Sequence, residues 1–238
     1  MWWAGKRSAS RTAVAYVGED AMRLALGGTV LAAAKVEGRD AALAALAAAV
    51  RELPRGTRLQ VAVSGTVCRP FLLPAVEGVA SEAEWQVIAA SMVEESTGLP
   101  TESPVWLDDG QASPRLAVAM DPAWRRGIEA IGGGSWRSVR PWWALAIESV
   151  ETARADGGSA GLAVADSDAL VLLIADGNTY RVAQSYALEG EAPAAVLNRA
   201  LVTHDGPADG VPLIQFDEVA LPGQRVDERL AFRRGGVA

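Results

Sequence analysis

Apolar residues along this chain come in short runs cut by turn-forming polar residues, and these runs alternate with a few longer stretches of helical period. Ala13 to Val17, Met22 to Leu26 and Val30 to Val36 are such runs, separated by Gly18-Glu19-Asp20 and by Gly27-Gly28. They predict three strands joined by tight turns. Leu43, Leu46, Val50 and Leu53 then fall on one helical face, with Asp40 placed to cap the start and Pro54 to end the helix. Leu59 to Val63 reads as a fourth, buried strand.

The same order returns after Gly157-Gly158. Gly161 to Ala165, Ala169 to Ala175 and Asn178 to Tyr186 predict three strands, the last two joined at the hairpin signal Asp176-Gly177. A helix is expected over Ala192 to Val202 and a closing strand over Val211 to Phe216. In each copy the helix brings the chain back to a strand parallel to the first. Between the copies, Ser81 and Glu84 form a capping-box pattern that opens a helix bearing Trp85, Ile88, Ala89 and Met92 on one face, stopped by Gly98-Leu99-Pro100. Strands follow over Val105 to Leu107 and Arg115 to Met120. A helix then runs from Asp121-Pro122 to Ile131, followed by a strand over Trp136 to Val139 and a helix from Pro141 to about Ala153. The whole predicts an α/β protein with two lobes of one theme, an α+β subdomain inserted between them and a reduced second lobe. Its expected boundaries are a tail at 1–12, a first lobe at 13–68, the insert at 69–140 and a second lobe at 141–238.

Composition narrows the functional classes. A 238-residue chain that is 50% hydrophobic and 21% charged is globular. Its 22 basic and 29 acidic residues leave it at −7, against the basic face that nucleic-acid binding needs. No run of apolar residues is long enough for a membrane-spanning helix. Met1 to Arg11 carries Trp2 and Trp3 beside Lys6, Arg7 and Arg11 without an acid, a pattern that suits an anionic membrane surface and equally a disordered start that happens to hold two tryptophans. Cys68 is the single cysteine, so no internal disulfide forms, and a small core role is expected of it.

Catalytic patterns are sparse. His204 is the sole histidine and reads as a helix-end residue, and Ser64 lacks the first glycine of a nucleophile elbow. One histidine and one cysteine do not build an ordinary zinc site. Gly132-Gly133-Gly134, like Gly127, is better read as part of a helix and its stop than as a phosphate loop, since the lysine such a loop needs is missing. Glu94-Glu95 and Asp108-Asp109 read as solvated carboxylates. At Trp142-Trp143 a shared core role outweighs a split between one inward and one outward ring.

Taken together, the tail Met1 to Arg11, the hairpin Val14-Ala15-Tyr16-Val17-Gly18 through Arg23-Leu24, and the passage Phe71-Leu72-Leu73-Pro74, Ser81-Glu82-Ala83-Glu84, Glu94-Glu95 resemble the PilM-type proteins of type IV pilus assembly. Leu116 to Met120, Ile128 and Val139-Arg140-Pro141 fit the later part of that pattern. The cytoplasmic domain of the type II secretion L-protein (GspL) shares the architecture. The resemblance implies an actin-like, ribonuclease H-like ATPase fold. It also implies a cytoplasmic scaffold, peripheral at the inner membrane, that binds the cytoplasmic tail of a PilN-like or secretion M/F-type membrane protein, with an assembly ATPase and self-association as further associations. The groove for such a tail would involve Arg69, Phe71 and Trp85.

In nucleotide-binding members an aspartate lies two residues before the first-hairpin glycine and holds the phosphate-bound metal. Here Tyr16 takes that place before Gly18. A phenol offers no ionised carboxylate at neutral pH. The second hairpin reads Ala165-Asp166-Ser167-Asp168, without the expected glycine, and no adenosine-binding segment is recognisable after it. A degenerate nucleotide site near Tyr16, Gly18, Asp166 and Asp168 is therefore expected, with no cofactor, no metal and no enzymatic activity. A nucleotide-binding actin-like ATPase is the alternative.

Overall fold

The computed structural model describes residues 12–79, 81–108, 114–132, 136–145, 159–176, 179–206 and 211–215. The proposed membrane-facing Trp2 and Trp3 lie outside them, as does most of the helix expected after Pro141.

Three sheets organise the chain. Strands β1 (Thr12–Val17), β2 (Ala21–Leu26) and β3 (Thr29–Lys35) form an antiparallel meander, α1 (Arg39–Arg51) crosses over, and β4 (Arg58–Val63) returns parallel to β1. Gly38, at φ +80°, starts α1 without a side-chain cap, and Asp40 sits in the first turn instead of at the expected cap position. There its carboxylate still faces the positive end of the helix dipole.

The inserted layer is a three-stranded sheet in the order β5-β7-β6, made of β5 (Cys68–Leu73), β6 (Val105–Leu107) and β7 (Arg115–Met120). Helix α2 (Glu82–Thr97) covers one face, opened by the reciprocal Ser81–Glu84 capping box and closed by left-handed Gly98. Strand β5 was hidden in the sequence by Pro70. That proline is tolerated because β5 lies at the sheet edge, where only one of its sides is paired.

Helix α3 (Pro122–Gly132) starts where Asp121 accepts from the Ala123 and Trp124 amides. It packs beside α1 by way of Gly127: a Cβ there would come within 2.3 Å of Leu43 Cδ1. Strand β8 (Trp136–Pro141) then pairs parallel to β4 and completes a sheet in the order β3-β2-β1-β4-β8. This stretch falls within 69–140, the range expected for the insert, yet its strand joins the first sheet. Its apolar residues serve the first lobe, where Trp124, Ile128, Ile131 and Val139 join the core under the first sheet.

The second lobe repeats the theme with β9 (Ser159–Ala165), β10 (Ala169–Asp176), β11 (Thr179–Ala187), α4 (Pro193–Thr203) and β12 (Leu213–Gln215). The sheet order is β11-β10-β9-β12, with β12 parallel to β9. Every residue of β10 from Ala169 to Ala175 is buried, because its sheet is covered on both faces. On one side α4 adds Val196, Leu197 and Ala200. On the other, Val164, Val171, Leu173 and Ala183 meet Tyr16, Ala25 and Ala62 of the first sheet. Trp142 and Trp143 fill this shared core, 8% and 3% exposed, so both rings point inward.

Candidate functional site

The two lobes meet where three short connections converge: the β1–β2 turn at Gly18 to Asp20, the β4–β5 loop at Ser64 to Val67, and the β9–β10 turn at Asp166 to Asp168. Turns at strand ends present backbone N–H groups, which favour anions. Here the anions are the protein's own. Asp166 Oδ2 accepts from the Gly65 amide at 2.8 Å, and Asp168 Oδ2 accepts from the Glu19 amide at 2.5 Å. The other Asp166 oxygen holds its own turn together, accepting from the Ala169 and Asp168 amides at 2.8 and 3.2 Å. Ser185 donates to the Gly65 carbonyl at 2.7 Å, and the hydroxyls of Tyr16 and Ser167 pair at 2.8 Å.

Glycine makes this closeness feasible. A Cβ on Gly18 would lie 2.8 Å from Asp168 Oδ2 and 2.9 Å from Tyr16 Oη; one on Gly65 would lie 2.8 Å from Val171 Cγ2 and 2.9 Å from Ala169 Cβ. Tyr16, Gly18, Asp166 and Asp168, singled out from the sequence, are thus brought into one cluster. Gly65, Ser167 and Ser185 complete it and were not foreseen. Gly65 carried a signal, a glycine just past a buried strand, whereas the two serines carried none.

Burial governs the electrostatics. Asp166 is 7% exposed and has no salt bridge among the described residues. Desolvation pushes its carboxyl well above the usual carboxylate range, the Asp168 charge adds to the rise, and the Gly65 and Ala169 amides oppose it. Asp168 is raised by burial too, with Asp20 adding to the rise and the Glu19 amide opposing it. The Tyr16 phenol is raised by burial and then by both aspartates, so it stays a neutral hydroxyl. Its ring stands edge-on to Trp142 at 6.2 Å.

The residues expected to bind a partner part company. Arg69 and Phe71 share the β5 face beneath α2, and Trp85 packs on the same cluster from α2. Phe71 is 2% exposed and belongs to the insert core with Ala89, Val93 and Ala117. Arg69 spans two pieces of backbone, donating to the carbonyls of Thr97 at 2.7 Å and Thr66 at 2.9 Å, and so ties the end of α2 to the crevice loop. Trp85 is half-buried.

The outer surface of the insert is chemically distinct. From Pro70 to Pro114 the chain has eight acidic residues and no basic one, more than its whole net charge of −7. Val87, 71% exposed on the outer face of α2, lies in an open depression of about 360 Å³ with Glu77, Gly78, Val79, Glu84 and Ile88. A second depression of about 380 Å³ is lined by Glu94, Gly98, Leu99, Pro100, Thr101 and Glu102. Arg115, inside the insert, neutralises Glu82 at 2.8 Å and Asp108 at 3.3 Å. Elsewhere, His204 caps the end of α4 and meets the Tyr186 hydroxyl at 2.6 Å. Among the described residues no helix is long and apolar enough to cross a membrane, and no group of acids, histidines and cysteines has the makings of a metal centre.

No family model and no curated protein matches the chain. Solved structures do. A Bacteroides thetaiotaomicron protein of actin-like ATPase fold and unknown function superposes with a TM-score of 0.58 at 12% identity, over 92% of this chain and 87% of that one. The cytoplasmic domain of EpsL, an inner-membrane component of the Vibrio cholerae type II secretion system, gives 0.53 at 12% identity, over 90% and 87%. A chain of the PilM–PilN type IV pilus biogenesis complex gives 0.53 at 16% identity, over 80% of this chain and 66% of that one. The fold is that of the actin-like ATPases, expected from the duplicated strand order and shared with components of pilus and secretion machines.

Proposed function

We propose that the protein is a non-catalytic docking platform of an inner-membrane pilus or secretion assembly, holding the cytoplasmic tail of a PilN-like membrane protein. The observation that carries this reading is the self-filled crevice. Asp166 and Asp168 take backbone donors of the opposite lobe, and Tyr16 stands buried where a metal-binding carboxylate is expected. Likeness of fold to the PilM–PilN complex and to the EpsL domain supports the class of machine. The platform sits in the cytoplasm, peripheral to the membrane through its partner and through Trp2 and Trp3.

The partner surface in this reading is the insert. Arg69 ties the end of α2 to the loop after β4, and Trp85 packs from α2 on the insert core to which Phe71 belongs. The excess of acidic residues in the insert, with exposed Val87 among them, favours a tail that is basic with an apolar side. Titration calorimetry with the cytoplasmic tail peptide of the membrane protein encoded alongside tests this; absence of heat, together with no co-purified membrane protein, would sink it. Thermal shift with Mg·ATP tests the lost nucleotide site, since a ligand of the native state raises the melting temperature. No shift is expected.

A second reading, the cytoplasmic part of a secretion L-protein that recruits the assembly ATPase, is favoured by span: the chain covers 87% of the EpsL domain but 66% of the PilM–PilN chain. A gene that continues into an apolar span of about 20 residues decides for it.

A further inference from the structure

We propose that Asp166 and Asp168 form a proton-sensitive latch that holds the two lobes closed and releases them as the pair loses its shared proton. The inference stands on the geometry of the crevice and does not depend on which partner the insert binds.

Both carboxyls belong to one three-residue turn, and each reaches across to a backbone amide of the first lobe, Gly65 at 2.8 Å and Glu19 at 2.5 Å. They fill the crevice side by side, and among the described residues neither has a salt bridge. The groups facing them are the Tyr16 phenol from β1, Glu19 and Asp20 from the β1–β2 turn, the Ser64 hydroxyl from the β4–β5 loop, Ser167 of their own turn and Ser185 of β11. Arg23 of β2 is the register partner of Tyr16. Apart from Arg23, every titratable group in this set is neutral or acidic.

With one proton between them, the pair carries a single charge and still has lone pairs for both amides. Without it, the buried Asp166 carboxylate and the half-buried Asp168 carboxylate repel one another, and Asp20 on the exposed turn adds to the repulsion. The sign follows from the raised carboxyls: a group whose folded-state affinity for protons is raised stabilises the closed form at acidic pH and loses that contribution as pH rises through its folded pKa. The latch is therefore tight in acid and looser toward neutral and above. The dry contact of the two sheets around Trp142 and Leu173 keeps the lobes together while the turns part, so opening is local to the crevice mouth.

Hydrogen exchange of the Gly65 and Glu19 amides in the whole chain tests the latch, read as protection factors so that intrinsic pH dependence divides out. From about pH 5 to about pH 8, protection in the native protein is expected to fall about tenfold or more, the change that one unit of differential proton affinity produces. Asp168→Asn keeps an acceptor for Glu19 without the charge, and its protection is expected to vary less than about threefold over the same range. A purely structural role would lower protection equally at every pH and leave the slope intact. Flat protection in the native protein overturns the proposal, as does an unchanged slope in Asp168→Asn. Asp166→Asn is a second arm with the same expectation; should it fail to fold, the other two proteins still decide.

Discussion

The hydroxyl of Tyr16 lies 2.8 Å from that of Ser167, a residue 151 positions further along the chain, and the contact joins the first strand of one lobe to the first turn of the other. A carboxylate at position 16 would sit in the same buried place beside Asp166 and Asp168. The phenol supplies a hydroxyl for the second lobe, a ring for Trp142, and no charge. The neutral phenol thus joins the two lobes at a place where a charge would have to be buried.

Tyr16→Phe should remove one buried, partly shared hydrogen bond and lower stability by about 1 kcal/mol. Tyr16→Asp places a third carboxyl in the cluster and should cost about 3 kcal/mol or more, without yielding ATP turnover. Urea unfolding and a phosphate-release assay read the two effects. Restored hydrolysis in Tyr16→Asp would show that the rest of the nucleotide site is intact.

Gly18→Ala should be costly although glycine there has no left-handed backbone to protect. The added methyl meets Asp168 Oδ2 at 2.8 Å and Ser64 Cβ at 3.2 Å, so the turns must separate. Gly65→Ala meets the packed side chains of Val171 and Ala169 instead. Each should destabilise by about 1–3 kcal/mol, as overpacked sites do, and Gly18→Ala should also raise exchange at the Glu19 amide. Gly27→Ala is a contrasting control: its φ of +59° strains a side chain, yet no atom lies within 4 Å of the new methyl, so exchange at Glu19 should stay as in the native protein.

Both meanders and both crossover helices were legible in the sequence, because strand runs such as Ala13 to Val17 and Ala169 to Ala175 are apolar and bounded by turn residues. The Ser81–Glu84 capping box was legible for the same local reason. Strand β8 was visible as a strand but not in its partner. Which sheet a parallel strand joins is decided by distant residues, here Val61 opposite Val139. The crevice was half legible: Tyr16 and the two aspartates stand out by type, but their amide partners do not, since any residue has an N–H and only the fold says which one faces a carboxylate.

Phe71 and Trp85 should separate core from surface. Phe71→Ala empties a site that is 2% exposed and should cost about 3–5 kcal/mol. Trp85→Ala should cost less, because the ring is half-buried, and should weaken tail binding out of proportion to its effect on folding. Denaturation midpoints and calorimetry on the same variants give both numbers. Equal effects on binding and stability at Trp85 would assign it to packing alone.

The acidity of the insert leads to a prediction that packing cannot mimic. Glu94 and Glu95 lie exposed in the last turns of α2, a helix that carries no basic residue, and have no salt bridge among the described residues. Replacing both with Lys puts cations near a helix C-terminus, where the dipole welcomes them, so the fold should be retained or slightly stabilised. Affinity for a basic tail, by contrast, should drop about tenfold or more at low ionic strength, mostly through the association rate, and the loss should shrink as salt is added. Glu94→Gln with Glu95→Gln should fall between the two. Calorimetry at two salt concentrations distinguishes the outcomes. An affinity indifferent to both substitutions and to salt would move the partner site off this helix and leave the acidic surface as a solubility feature.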